Sequence, residues 1–161
     1  LMIGVVTLMG TFAACYHWFP KMFGRAMNER LGYLHFVLTY VPMTAVFVLM
    51  HYQGLSGMLR RYYDHSIYEF QKPALELSKP ISYWAFAAIA GQLVFLLNFF
   101  WSAARGRRVG ANPWEATSME WNTESPAPHG NFGAVDPIAL RGPYDYAPEG
   151  SSKEYAPQWT A

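Results

Sequence analysis

The chain has 161 residues and a formal net charge of +1, with 14% charged, 52% hydrophobic and 17% aromatic residues. So small a charge excludes recognition of nucleic acid or an acidic partner by bulk electrostatics. A single cysteine, Cys15, excludes an internal disulfide and CxxC metal or redox spacing, and reads as a small buried apolar residue.

The mean hydropathy of +0.02 averages two regimes, an apolar first two thirds and a polar tail after residue 105. Residues 1–20, 31–50 and 81–104 carry no Asp, Glu, Lys or Arg. Each block has the roughly 20 residues needed to cross a hydrocarbon core of about 30 Å. The sequence therefore predicts an all-α membrane protein with three transmembrane helices, at about 1–19, 31–52 and 81–104. No charged stretch precedes the first block, so it does not read as a signal peptide. It reads as a helix entered in mid-span, in a segment of a longer polypeptide. Tyr16, Trp18 and Phe19 close that block, and Tyr83 and Trp84 open the third, where an interfacial aromatic belt belongs.

The linker "PKMFGRAMNERLG" is short, which makes helices one and two antiparallel neighbours. Pro42 near the middle of helix two should kink it. A loop at 53–80 leads to helix three, where Ala87 and Gly91 form a small-xxx-small pair suited to close packing. The 20–30 linker and the 105–108 flank hold three basic residues each, against Arg60, Arg61, Lys72 and Lys79 in the loop between. The positive-inside rule then places the linker and the C-terminus in the cytoplasm and the arginine pair at the outer face. The membrane segment is read as 1–108 and the tail as 109–161. Seven of eleven prolines lie beyond residue 108, and hydrophobic periodicity is absent there. Trp114, Trp121 and Trp159 argue against a freely solvated tail, so it is expected to be an extended strap against a larger assembly.

Histidines in apolar helices raise haem ligation, proton relay or metal binding. His35 and His51 are 16 residues apart and so point about 160° away from one another on a helix. Two stacked haems on that helix are disfavoured, and His17 with His35 is an incomplete metal site. Structural hydrogen bonding is the expected role of all three. Met43, Phe47 and Met50 recur at i, i+4, i+7, giving one face of soft and aromatic groups. Lipid or a neighbouring helix explains that face, and so does a large flat cofactor.

Arg60 and Arg61 follow a long apolar run in "HYQGLSGMLRRYYDH" (51–65). Contact with phospholipid headgroups is one reading. The other is a bidentate fork for carboxylates or phosphates. Gly54 and Gly57 permit a tight turn before the pair, and Tyr62, Tyr63 and Asp64 can pack after it. An anion tethered to a membrane-embedded group suits both charge and position, and haem propionates fit that description. No acidic residue lies in an apolar block, and no nucleophile–base set or phosphate loop is present.

"YHWFPKMFGRAMNERLGYLHFVLTYV" (16–41), "MHYQGLSGMLRRYYDH" (50–65) and "NPWEATSMEWNTESPAPHGNF" (112–132) resemble, in order, the last part of subunit I of haem–copper cytochrome c oxidases. The resemblance covers most of residues 1–132. It implies a twelve-helix subunit of a bacterial inner-membrane oxidase, in which these are the later part of helix ten, helix eleven and helix twelve. Both termini would be cytoplasmic. It implies two haems and copper, whose iron and copper ligands fall outside this stretch. It also implies, as partners, the rest of subunit I, a copper-bearing electron-entry subunit and cytochrome c. Arg60 and Arg61 match the family's propionate-binding pair. Phe47 matches a position against the low-spin haem, and Met50 sits where some relatives have glutamine. Leu59 departs from the usual proline before the pair, which implies a less rigid loop. Residues 133–161 match no family feature. A quinol oxidase of the same superfamily, or a three-helix accessory or assembly subunit, are the alternative readings.

Overall fold

The computed structural model describes residues 2–59, 61–132, 138–142 and 159–160. A π-helical stretch, Met2–Val6, leads into α1, Thr7–Phe23. After β1, Arg25–Ala26, comes the 27-residue α2, Glu29–Leu55. A 3-10 turn at Glu69–Gln71 and the short α3, Lys72–Leu75, precede α4, Ser78–Arg105. Then follow β2, Arg107–Arg108, a 3-10 turn at Met119–Trp121, β3, Ile138–Ala139, and β4, Trp159–Thr160. Glu29–Leu55 and the helical run Glu69–Arg105 are long and apolar enough to cross a membrane, consistent with an all-α membrane protein. The 17 residues of α1 rise about 26 Å, a little short of a hydrocarbon core without the π-helical stretch before it.

The helix ends differ from the expected ones for identifiable reasons. The first helix runs through Pro20 to Phe23, because its terminator is Gly24. That residue has φ +62°, and its N–H reaches the Pro20 carbonyl at 2.8 Å, closing the helix in the left-handed conformation glycine tolerates. Helix α2 starts within the expected linker because Asn28 caps it, its side chain accepting from the Leu31 N–H at 3.1 Å. Helix α4 begins at Ser78, since Pro80 falls in the first turn, where a missing N–H costs nothing. The loop expected at 53–80 therefore shortens to the residues between Leu55 and Ser78 and carries helical turns of its own.

Two compact units can be described, each by itself. One comprises Leu1–Ala13 and Asn28–Phe100. Its burial pattern is inside out. The buried residues of α2 are His35, Thr39, Pro42 and Gln53, whereas Tyr33, Phe36 and Tyr40 are exposed. Lipid-facing helices gain nothing from hiding apolar groups from one another, so close packing and hydrogen bonds join them instead. At Gly91 of α4 a Cβ would come within 2.9 Å of Thr39 Oγ1 and 3.1 Å of the Leu38 carbonyl oxygen. Pro42 lacks the N–H that would bond that same Leu38 carbonyl, and α2 continues unbroken through it. Gln92 Nε2 donates to Thr39 Oγ1 at 3.0 Å, and Asn98 clasps both backbone groups of Asn28 at 3.1 and 3.0 Å. Small-xxx-small packing at Gly91 thus takes place against α2.

The second unit comprises Ala14–Met27 and Trp101–Ala161. Strands β1 and β2 pair antiparallel, Arg25 opposite Arg108 and Ala26 opposite Arg107. The two basic stretches assigned from the sequence to one side therefore meet. Trp121 is 1% exposed and Phe19 is as deeply buried, so Phe19 is not part of an exposed belt. Up to Phe132 the described tail packs into this unit through Trp114 and Trp121. Strands β3 and β4 also pair antiparallel, Ile138 opposite Thr160.

Candidate functional site

The loop after α2 is built residue by residue. Ser56 ends the helix, its N–H and hydroxyl both returning to the Tyr52 carbonyl. Gly57, at φ +85°, turns the chain, and the Met58 N–H reaches the Gln53 carbonyl at 3.1 Å. Gln53 is buried and braces the far side: its Nε2 donates to Ala74 O and Ser78 Oγ, both at 3.0 Å. His65 Nε2 donates to the Leu59 carbonyl at 2.7 Å, a bond that ties residues 59 and 65 together. Ser66 N–H donates to Asp64 Oδ1 at 2.8 Å. The Ser66 hydroxyl and N–H hold the Asp64 carboxyl below its ordinary value. Tyr62 stands edge-on to Tyr68 at 5.4 Å, and Tyr68 lies 5.8 Å from Phe70.

Arg60 lies outside the described residues. Arg61 sits in the left-handed region at φ +64°, a conformation costing a non-glycine residue about 1–2 kcal/mol. Its side chain is exposed. The two ion pairs among the described residues are Lys72 with Glu69 and Lys79 with Glu76, and they leave Arg61 without a carboxylate. Asp64, three residues on, is engaged by Ser66. Lys72 and Lys79 are thus satisfied locally, whereas the Arg61 guanidinium has no carboxylate among the described residues.

Phe47 and Met50 share a face of α2. Phe47 is half-buried, and a Cβ on Gly4 would come 3.1 Å from its Cζ, so its ring covers the π-helical stretch. Met50 is 50% exposed. Phe47 lies about 12 Å along the axis from Leu55, the last residue of α2. Phe47 and Met50 sit on the helix and Arg61 on the loop it feeds, so the sequence-predicted residues are spread along one rod and its end.

The histidines take up other roles. His35 is 1% exposed and meets the Phe12 ring edge-on at 4.5 Å and the Phe95 ring at 5.1 Å. His17 stacks on Trp114 at 5.8 Å and meets Trp121 edge-on at 5.0 Å, while its carbonyl accepts from Trp114 Nε1 at 3.0 Å. Among the described residues no group of three or more His, Cys, Asp or Glu side chains is placed to hold a metal. Sequence reasoning missed the polar pairs Thr39–Gln92 and Asn28–Asn98 and the brace at Gln53. Gln92 and Asn98, amide side chains inside the uncharged block 81–104, were the signal that could have found the two pairs, whereas Gln53 lies outside the blocks.

It also missed Lys21. The ammonium donates to the carbonyls of Thr123 at 2.6 Å, Ala111 at 3.1 Å and Glu124 at 3.4 Å, and stands 5.2 Å over the Trp121 ring. All of its partners lie in the second unit.

The protein family described as "Cytochrome C and Quinol oxidase polypeptide I" matches residues 1–94. The chain is 41% identical over 160 residues to an alternative cytochrome c oxidase subunit 1 of Bradyrhizobium diazoefficiens, covering 98% of this chain and 27% of that protein. It is 42% identical to cytochrome c oxidase subunit 1 of Synechocystis sp., over 84% of this chain and 23% of the relative. It is 35% identical to heme-copper oxidase subunit I+III of Aeropyrum pernix, over 84% of this chain and 16% of the relative. The chain spans about a quarter of the length of the first two of these curated relatives.

Proposed function

The chain belongs to the cytochrome c and quinol oxidase polypeptide I family, and we propose that it forms the closing part of the catalytic subunit of a respiratory terminal oxidase. In this reading the complete enzyme is a proton-pumping oxidoreductase that takes electrons from cytochrome c and reduces oxygen to water. Three membrane helices, the last of a twelve-helix bundle, would make up residues 1–108. Residues 109–161 would form a cytoplasmic tail of a bacterial inner-membrane protein. The remainder of subunit I and a copper-bearing electron-entry subunit complete the assembly and carry the iron and copper ligands.

One observation supports the segment's own role. Arg61 is held in a left-handed conformation by an ordered loop at the end of an apolar helix, exposed and without a described carboxylate, while both neighbouring lysines are paired. That donor set suits the propionates of a haem, and the apolar face of Phe47 and Met50 suits a flat porphyrin. When bound, haem supplies the one-electron chemistry. Arg60 and Arg61 would hold its acidic groups through charge-assisted bonds and, as nearby positive charge, favour the reduced state. Phe47 and Met50 would line the porphyrin and keep water from it.

The test is the visible spectrum of the intact oxidase carrying R60Q and R61Q. The reading predicts a shifted haem band with haem still bound, and an unchanged spectrum with normal turnover contradicts it. Turnover on reduced cytochrome c against quinol separates the quinol-oxidase alternative, and the relatives' names favour the former. An accessory three-helix subunit would leave both measurements unmoved.

A further inference from the structure

The β1–β2 ribbon carries three arginines, and Arg105 at the end of the apolar helix α4 adds a fourth. Arg25 lies opposite Arg108 and Ala26 opposite Arg107. Arg105, the last residue of α4, places its guanidinium 5.2 Å over the exposed Trp101 ring. Like charges directly across a strand pair repel, so the register disfavours itself unless something negative joins it. The described carboxylates of this unit, Glu115, Glu120 and Glu124, form no ion pair with these arginines. Arg25 turns one nitrogen, Nη1, back to the Gly106 carbonyl at 2.8 Å. Arg107 and Arg108 are exposed.

The ribbon is also fixed in place by its backbone. A Cβ at Gly106 would collide with the Ser102 carbonyl oxygen and come within 2.8 Å of the Ala26 carbonyl oxygen, so only glycine permits this crossing. Val109 N–H reaches the Gly24 carbonyl at 3.2 Å, and Gly24 holds its left-handed turn. The cationic surface is therefore preorganised and does not depend on flexible side chains gathering from a loose loop.

We propose that this ribbon seats the phosphate of an anionic phospholipid headgroup. Position argues for a lipid over a soluble anion. The apolar run capable of crossing a membrane ends at Arg105, and a tryptophan with an arginine over its face belongs at the headgroup level. Guanidinium forks match phosphate oxygens two at a time, and the exposed side chains of Arg107 and Arg108 make no ion pair among the described residues. The competing occupant is this chain's own acidic stretch, with Asp136, Asp145, Glu149 and Glu154.

The experiment uses the intact membrane complex containing the chain, in nanodiscs of phosphatidylcholine with and without phosphatidylglycerol. Native mass spectrometry counts the phosphatidylglycerol retained after transfer to detergent. Wild type should retain it and lose it as salt rises, since screening weakens exposed charge. R108Q should reduce retention roughly fivefold, and R107Q/R108Q by a further factor of similar size. R107K/R108K should lie between wild type and R107Q/R108Q, since it keeps the charge and loses the fork. If the double glutamine variant fails to assemble, the single variant and the salt dependence of wild type still decide. Equal retention in wild type and R108Q overturns the proposal. So does retention that emerges only when the four tail acids are neutralised as D136N/D145N/E149Q/E154Q, because the tail would then be the native occupant.

Discussion

Lys21 and Arg61 each stand near the end of an apolar helix, and the molecule treats them in opposite ways. Lys21 is enclosed: three main-chain carbonyls accept its protons and Trp121 covers it. Arg61 is exposed on a strained backbone, and the nearby described lysines, Lys72 and Lys79, are already paired. The first arrangement uses a cation to fasten a segment with little regular structure, because carbonyl oxygens at 111, 123 and 124 have no helix or sheet of their own to satisfy them. The second leaves a guanidinium with no carboxylate partner among the described residues, as the proposed anion site requires. Charge alone does not distinguish the two roles. The partners do.

The sharpest way to break this contrast is at Trp121. Truncation to alanine removes a side chain that is 1% exposed and should cost about 3–5 kcal/mol. Limited proteolysis within 109–132 should show it, with the arginine loop unaffected. Lys21→Met should come next, at about 2–3 kcal/mol, since it leaves carbonyls without their charged donor. The same cleavage assay should show the loss, with the haem spectrum unchanged.

Arg61→Gly sharpens the other side. Relief of the left-handed strain should stabilise the loop by about 1 kcal/mol. Amide exchange across 58–66 should slow, while haem affinity falls. The smallest effect is an acid one. Asp64 has its carboxyl pKa lowered below the ordinary 3.8 by Ser66, so its contribution is complete above 3.8 and disappears as pH falls through the lower folded value. Exchange at Ser66 should accelerate there, and exchange in the Lys21 unit should not follow it.

The helices were legible because three blocks without charge stand between charged flanks, and Gly91 was legible as a small residue four after Ala87. Helix ends were less so, since the last word lay with a cap at Asn28 and a left-handed glycine at 24 rather than with the nearest proline. The Lys21 cage was not legible at all. Its acceptors are backbone oxygens 90 to 103 residues away, which leave no mark in side-chain pattern. The β1–β2 ribbon is two residues per strand, too short for any periodicity. At the candidate site, the sequence singled out Arg61 as a candidate and anticipated the turn at Gly57. The brace from Gln53 and the His65 bond to Leu59 emerged only from the fold.

The most direct test is a redox titration of the complete oxidase with Arg60 and Arg61 replaced together by glutamine, beside the lysine pair as a charge-preserving control. Loss of two positive charges from a cofactor's acidic groups should lower the haem midpoint potential, with the lysine variant lying between. A midpoint that does not move in the glutamine variant, at full haem occupancy, would contradict the account.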